Sequence, residues 1–112
     1  MNHEMKLRKI PFDKILDGTK KIESRLYDEK RRLIKVGDNI IFSLENEQGE
    51  CIEKVTKKVQ AIFLYENFET MMNDLPCAWF GWEKPELAIA EINQFYSQED
   101  QVKNGVIGFR IV

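Results

Sequence analysis

Apolar and polar side chains alternate with period two from Lys21 to Tyr27, with Ile22, Ser24 and Leu26 on one side and Lys21, Glu23, Arg25 and Tyr27 on the other. That pattern predicts a half-buried strand with one packed face and one polar face. Just before it the period lengthens. Phe12, Ile15 and Leu16 share one face at helical spacing within Pro11-Phe-Asp-Lys-Ile-Leu-Asp-Gly18, where proline suits the first helical position and glycine the exit. A two-turn helix plugging one end of a core is expected there, preceded by a short strand around Met5 to Arg8. Lys35-Val-Gly-Asp38 marks a turn into the apolar run Ile40-Ile41-Phe42, read as a central strand, and Asn46-Glu-Gln-Gly49 marks the next turn. The segment from Cys51 to Phe63 is rich in β-branched residues, and a slip in the alternation near Lys57-Lys58 predicts a bulge or bend in a long strand wrapping a barrel.

Asn67 is placed to cap a helix presenting Phe68, Met71, Met72 and Leu75 and ending before Pro76. A second helix is expected from Pro85, with Ala88, Ile89, Ile92, Phe95 and Tyr96 on its apolar face. The Asn104-Gly105 turn then leads into a final strand, Val106-Ile-Gly-Phe-Arg-Ile111. Strands with helices inserted between them, without regular βαβ alternation, indicate an α+β fold or a decorated barrel.

Length and composition narrow the class. The 112 residues, 43% hydrophobic and 32% charged, suit one ordinary globular domain over 1–112, long enough to close a single core. No window reaches the roughly 18 consecutive apolar residues of a membrane span, and no apolar signal region opens the chain, so no membrane association and a cytoplasmic location are expected. Cys51 and Cys77 lack the spacing of a zinc or redox pair and are expected to be reduced and partly buried. His3, the single histidine, lies in a terminus expected to fray, which removes Ser-His-Asp and Cys-His catalysis and most catalytic zinc sites. Gly-rich phosphate loops, H-E-x-x-H and EF-hand loops are absent from the sequence, and no metal and no cofactor are expected.

Charge is unevenly distributed. Residues 1–35 hold 11 lysines and arginines against 6 acidic residues, a balance of +5, while the other 77 hold 6 against 13, a balance of −7. One electropositive surface facing an anionic ligand follows if these neighbours in sequence meet in space. The densest chemistry lies in Gly18-Thr-Lys-Lys-Ile-Glu-Ser-Arg25. On a strand Glu23 and Arg25 point the same way, roughly 7 Å apart, while Lys20 has the opposite parity and reaches them only if the chain twists as it leaves the helix. Arg25 offers a planar fork for phosphate or a base edge, Lys20 a mobile point charge, and Glu23 an acceptor. The same residues also fit a charged edge strand, or a Glu23–Arg25 network bracing a barrel mouth.

The series Gly18, Lys20, Glu23, Arg25 reads G-x-K-x-x-E-x-R, and Val36-Gly-Asp38 follows it. With the late helix ending Phe95-Tyr96 and the closing Gly105-Val-Ile-Gly108, this resembles the ASCH domain signature over nearly the whole chain. The resemblance implies a small PUA-like β-barrel with short helices packed at its ends. It also implies a cleft lined by the signature residues, and RNA or a nucleotide or nucleoside as partner. One branch of the family hydrolyses N4-acetylcytidine with a lysine, a threonine and a later glutamate. Lys20 matches that lysine, Glu23 stands where the threonine would be, and Ala78-Trp-Phe-Gly-Trp82 occupies the region of the carboxylate.

Two functions are therefore carried forward. In the first, Lys20, Glu23 and Arg25 line a ligand cleft, with Tyr27, Trp79 and Trp82 as candidates to stack a base. Phe80 and Phe95 are expected to pack in the core. In the second, the chain is a small hydrolase, of amidohydrolase or ribonuclease type, with Lys20 and Glu23 catalytic. The basic run Lys30-Arg31-Arg32 is either solvated surface or an RNA backbone contact.

Overall fold

The long β-branched segment organises the sheet. In the computed structural model, which describes residues 1–112, it is a single strand, β4 (Cys51–Tyr65). Its first part pairs antiparallel with β3 (Asn39–Glu45), and its second part pairs antiparallel with β5 (Val106–Ile111). Between them the register shifts at Val59 to Ala61, a bulge slightly beyond the expected slip. The bulge lets one strand serve two partners by bending, as small barrels require. β1 (Asn2–Leu7) joins β3 in parallel and β2 (Ile22–Leu26) joins β5 antiparallel, giving the order β1-β3-β4-β5-β2. The sheet curls into a half-barrel, so the fold is the expected mixed α+β, PUA-like type. Its two edges, β1 and β2, border a seam.

Helices cover the open ends. α1 (Lys9–Leu16) inserts Phe12 and Ile15 among Met5, Ile40, Phe42 and Phe109. α2 (Phe68–Asp74) and α3 (Pro85–Ile92) pack Phe68, Met71, Met72 and Ala88 against Ile22 and Val106. Each fully buried large apolar side chain contributes about 1.5–3 kcal/mol relative to exposure. The caps follow the sequence: Asn67 Oδ1 accepts from the Thr70 amide at 2.8 Å, and Pro85 opens α3.

Several expectations are corrected. α1 begins at Lys9, two residues early, because Pro11 is tolerated anywhere in a first turn where amides have no helical partner. Leu16 is half exposed, leaving Phe12 and Ile15 as the plug. The terminus does not fray: His3 lies within β1, and its Nε2 meets Asp38 Oδ2 at 2.9 Å. Cys51 is exposed at the β3–β4 turn, while Cys77 is half-buried. The expected last helix stops at Ile92, and a separate α4 (Gln98–Asn104) follows, capped by Ser97 Oγ, which accepts from the Asp100 amide at 3.1 Å. The single buried side chain of α4 is Gln101, whose Oε1 accepts from the Phe68 amide at 3.0 Å. No helix is long and apolar enough to cross a membrane.

Candidate functional site

The site forms where α1 hands the chain to β2. Gly18, at φ +84°, turns the chain out of the helix, and the Thr19 amide donates to Asp17 Oδ1 at 2.8 Å. The Lys20 amide then donates to the Lys14 carbonyl at 2.9 Å and the Lys21 amide to the Trp79 carbonyl at 2.7 Å. These bonds hold Lys20 outside the alternation of β2. Its ammonium lies 3.5 Å from Glu23 Oε1, so opposite parity on a strand does not separate them.

Glu23 is the centre of this group, with only 5% of its side chain exposed. Its Oε1 also accepts from the Ser24 amide at 3.0 Å, and its Oε2 lies 3.7 Å from an Arg25 terminal nitrogen without a hydrogen bond. Burial disfavours charge on this carboxyl. Lys20, Arg25 and the Ser24 amide together outweigh burial and hold Glu23 below the usual carboxylate range, so it is ionised at neutral pH. The Arg25 guanidinium spans the seam as well, donating to the Lys6 carbonyl of β1 at 3.0 Å.

Around this triad lies a cleft of about 620 Å³, within the usual range of about 300–1,000 Å³ for small-molecule sites. Six cationic side chains line it, Lys6, Arg8, Lys9, Lys14, Lys20 and Arg25, against two carboxylates, Glu23 and Glu91. All six cations belong to the basic stretch 1–35, while its other five, Lys21, Lys30, Arg31, Arg32 and Lys35, lie outside the cleft. Four aromatic side chains, Phe80, Trp82, Phe95 and Tyr96, line the same cleft. Gly81, between Phe80 and Trp82, lies close against Lys14: at φ +87°, a Cβ there would stand 3.0 Å from Lys14 Cδ. Lys14 Nζ donates to the Gly81 carbonyl at 2.7 Å and lies 5.3 Å from the Trp82 ring centroid.

Of the candidates, Lys20, Glu23, Arg25 and Trp82 meet in this cleft, while Tyr27 and Trp79 lie outside it. Tyr27 packs against the core under the Arg32 guanidinium at 4.4 Å, and Trp79 carries Arg110 at 4.8 Å. Within the basic run, Arg31 pairs with Asp28 at 3.0 Å and Arg32 donates to the Tyr27 and Asn104 carbonyls. Phe80 is buried as expected, but Phe95 is 51% exposed, because α3 ends before reaching it. Arg8, Lys14 and Glu91 carry no local motif, and only their convergence on one cleft marks them. No group of three or more His, Cys, Asp or Glu side chains is arranged to hold a metal ion.

The curled five-stranded half-barrel with helices packed at its ends is a PUA-like fold. The ASCH domain family model matches residues 5–111, and the chain belongs to that family. It is 38% identical to a hypothetical protein, PH0355, covering 99% of this chain and 97% of that one with a TM-score of 0.84. It is 36% identical to protein PF0455 from Pyrococcus furiosus, covering 99% and 96%, with a TM-score of 0.68. An ASCH protein from Zymomonas mobilis shares the fold at 12% identity, covering 99% of this chain and 66% of that one, with a TM-score of 0.69. No curated protein matches the chain.

Proposed function

We propose that the chain binds RNA or a nucleotide-type ligand in the seam cleft. The observation that carries this reading is the convergence of six cations and four aromatic side chains on one cleft. Phosphate and base need these two environments side by side. Lys20 and Arg25 meet the anion, Glu23 fixes both, and Lys6 and Lys9 extend the basic rim. Trp82 is one of the aromatic residues available to the base. Lys6 and Lys9 expose more than three-quarters of their side chains, so Lys6→Gln and Lys9→Gln test the site without disturbing the core. Fluorescence anisotropy with a labelled single-stranded RNA is expected to show binding that weakens as salt rises. Each substitution should flatten the log–log salt slope by about 0.7, the value for one phosphate contact on a single strand. Absence of binding, or slopes unchanged in both variants, defeats the reading.

A hydrolytic reading of the same cleft is favoured by one observation, that Glu91 of α3 brings a second carboxylate into the cavity lined by Lys20. Against it, an ionised Glu23 has no proton to give as a general acid at neutral pH. Its test is turnover of modified nucleosides or RNA, lost in both Lys20→Met and Glu91→Gln.

A further inference from the structure

Four cation–aromatic stacks occur in this protein, and one differs from the rest. In three of them a hydrogen bond anchors the cation: Arg32 to the Tyr27 carbonyl at 3.0 Å, Arg110 to Gln60 Oε1 at 3.1 Å, and Lys14 to the Gly81 carbonyl at 2.7 Å. The fourth is Arg8 over Phe95, at 4.2 Å from the ring centroid. The Arg8 side chain makes no hydrogen bond and no ion pair, and its residue is exposed at the junction of β1 and α1. The ring beneath it is 51% exposed, yet its backbone is held: the Phe95 amide donates to the Ile92 carbonyl at 2.9 Å. The next residue, Tyr96, stacks on Phe68 at 5.1 Å, and its carbonyl accepts from buried Gln101 Nε2 at 3.4 Å. An exposed ring on a held backbone, under a cation with no hydrogen bond or ion pair, lines the same cleft as Lys20 and Arg25.

We propose that Phe95 and Arg8 form a jaw for one unpaired nucleobase. The base stacks on Phe95 where the Arg8 guanidinium lies in this structure, and the displaced guanidinium turns its fork to the ligand's phosphate. This deepens the RNA-binding reading and rests on it. The exchange runs in the right direction, because an exposed cation–π contact is worth about two- to fivefold in an equilibrium. A base stacked on an aromatic ring is worth about 5- to 140-fold. Arg8 loses little on moving, since a guanidinium forms its strongest hydrogen bonds bidentately with phosphate. The ligand class follows from geometry. In a duplex both faces of a base are covered by its neighbours, so the jaw takes single-stranded RNA or a free nucleotide and rejects double-stranded RNA.

The test uses the full chain with Phe95→Leu, which keeps an apolar side chain but no ring, and Phe95→Trp, which keeps a ring. Single-stranded RNA, its duplex, cytidine monophosphate and ribose 5-phosphate are the probes, with thermal melts to confirm folding. Phe95→Leu is expected to weaken binding of the single strand and of the nucleotide by about 5- to 140-fold. Phe95→Trp should restore both, ribose 5-phosphate should bind all three proteins alike, and the duplex should bind none of them at the cleft. Equal RNA affinity in wild type and Phe95→Leu overturns the jaw while leaving the cleft reading standing. The same holds for an equal loss of ribose 5-phosphate and nucleotide, which would mark a structural role. Failure of wild type to bind any RNA or nucleotide overturns both.

Discussion

Glu23→Gln removes one charge from a group whose side chains are 5%, 11% and 15% exposed and whose cations stand 3.5 and 3.7 Å from the carboxylate. Breaking a buried pair by deleting one partner costs about 3–5 kcal/mol, because the remaining charge is left without compensation. We take the low end, about 3 kcal/mol, since Lys20 and Arg25 still reach water through the cleft and glutamine keeps an acceptor for the Ser24 amide. For a domain of this length that is a fall in Tm of about 12 °C, at roughly 4 °C per kcal/mol. The pH dependence separates charge from packing. The folded-state pKa of Glu23 is held below the ordinary value of 4.5, so its contribution is complete above that value and lost as pH falls through the depressed one. Urea unfolding of wild type and variant, followed by tryptophan fluorescence, should therefore show a gap of about 3 kcal/mol at neutral pH that narrows in acid. A gap below about 1 kcal/mol, the worth of an exposed ion pair, refutes the argument. So does a gap that stays constant as the pH falls.

Gly81→Ala should destabilise the protein by about 1–2 kcal/mol, the cost of left-handed backbone for an L-residue, with added crowding from Lys14 at 3.0 Å. A chemical denaturation curve indistinguishable from wild type would count against it. Gln101→Leu leaves the buried Phe68 amide without its acceptor, at a cost of about 1–3 kcal/mol. Hydrogen exchange should accelerate first in α4 and at the start of α2, and uniform exchange would contradict that placement. Asp38 is held down to about 2 by its contact with His3, the Lys35 amide and the N-terminal ammonium, against a weaker burial effect. Its contribution is complete above the ordinary value of 3.8 and lost as pH falls toward 2. The Tm difference between wild type and Asp38→Asn should shrink over that interval, and a pH-independent difference would exclude this linkage.

The sheet and the first helices were legible because each rests on a local period or cap: alternation along β2, the slip that bends β4, Asn67 before α2, Pro85 at α3. α4 was not, since its packing depends on Gln101, and a helix buried through one amide side chain has no hydrophobic stripe to detect. The same gap misplaced Phe95, which continues the helical spacing of Ile92 only if the helix continues, and the Ser97 cap starts a new one. At the site, one part was visible as a dense motif, whereas Glu91 arrives from a segment far along the chain with nothing local to mark it, and Phe95 and Tyr96 were read as an apolar helix face. Lys20 reaches Glu23 despite its opposite parity, as a twist at the helix exit allows, and its position is fixed by bonds to the Lys14 carbonyl and, through Lys21, to Trp79.

Two sequence-level accounts of Glu23 and Arg25, a brace at the barrel mouth and a grip on a ligand, looked like competitors, yet the seam makes them one arrangement. With β1 and β2 as the sheet's edges, their backbone groups face a gap that no further strand fills, a condition that invites pairing with another chain. Arg25 bridges that gap through the Lys6 carbonyl and is steadied by Glu23, so closing the seam by side chains puts fixed charge where the backbone leaves an opening. A ligand cleft at this place needs no separate scaffold, because the residues that prevent edge pairing are already desolvated, oriented and charged. It follows that Arg25→Ala would loosen the edges and strip the cleft together. The exposed rim residues Lys6 and Lys9 and the half-exposed Phe95, which hold no part of the seam by their side chains, are the positions that report on binding alone.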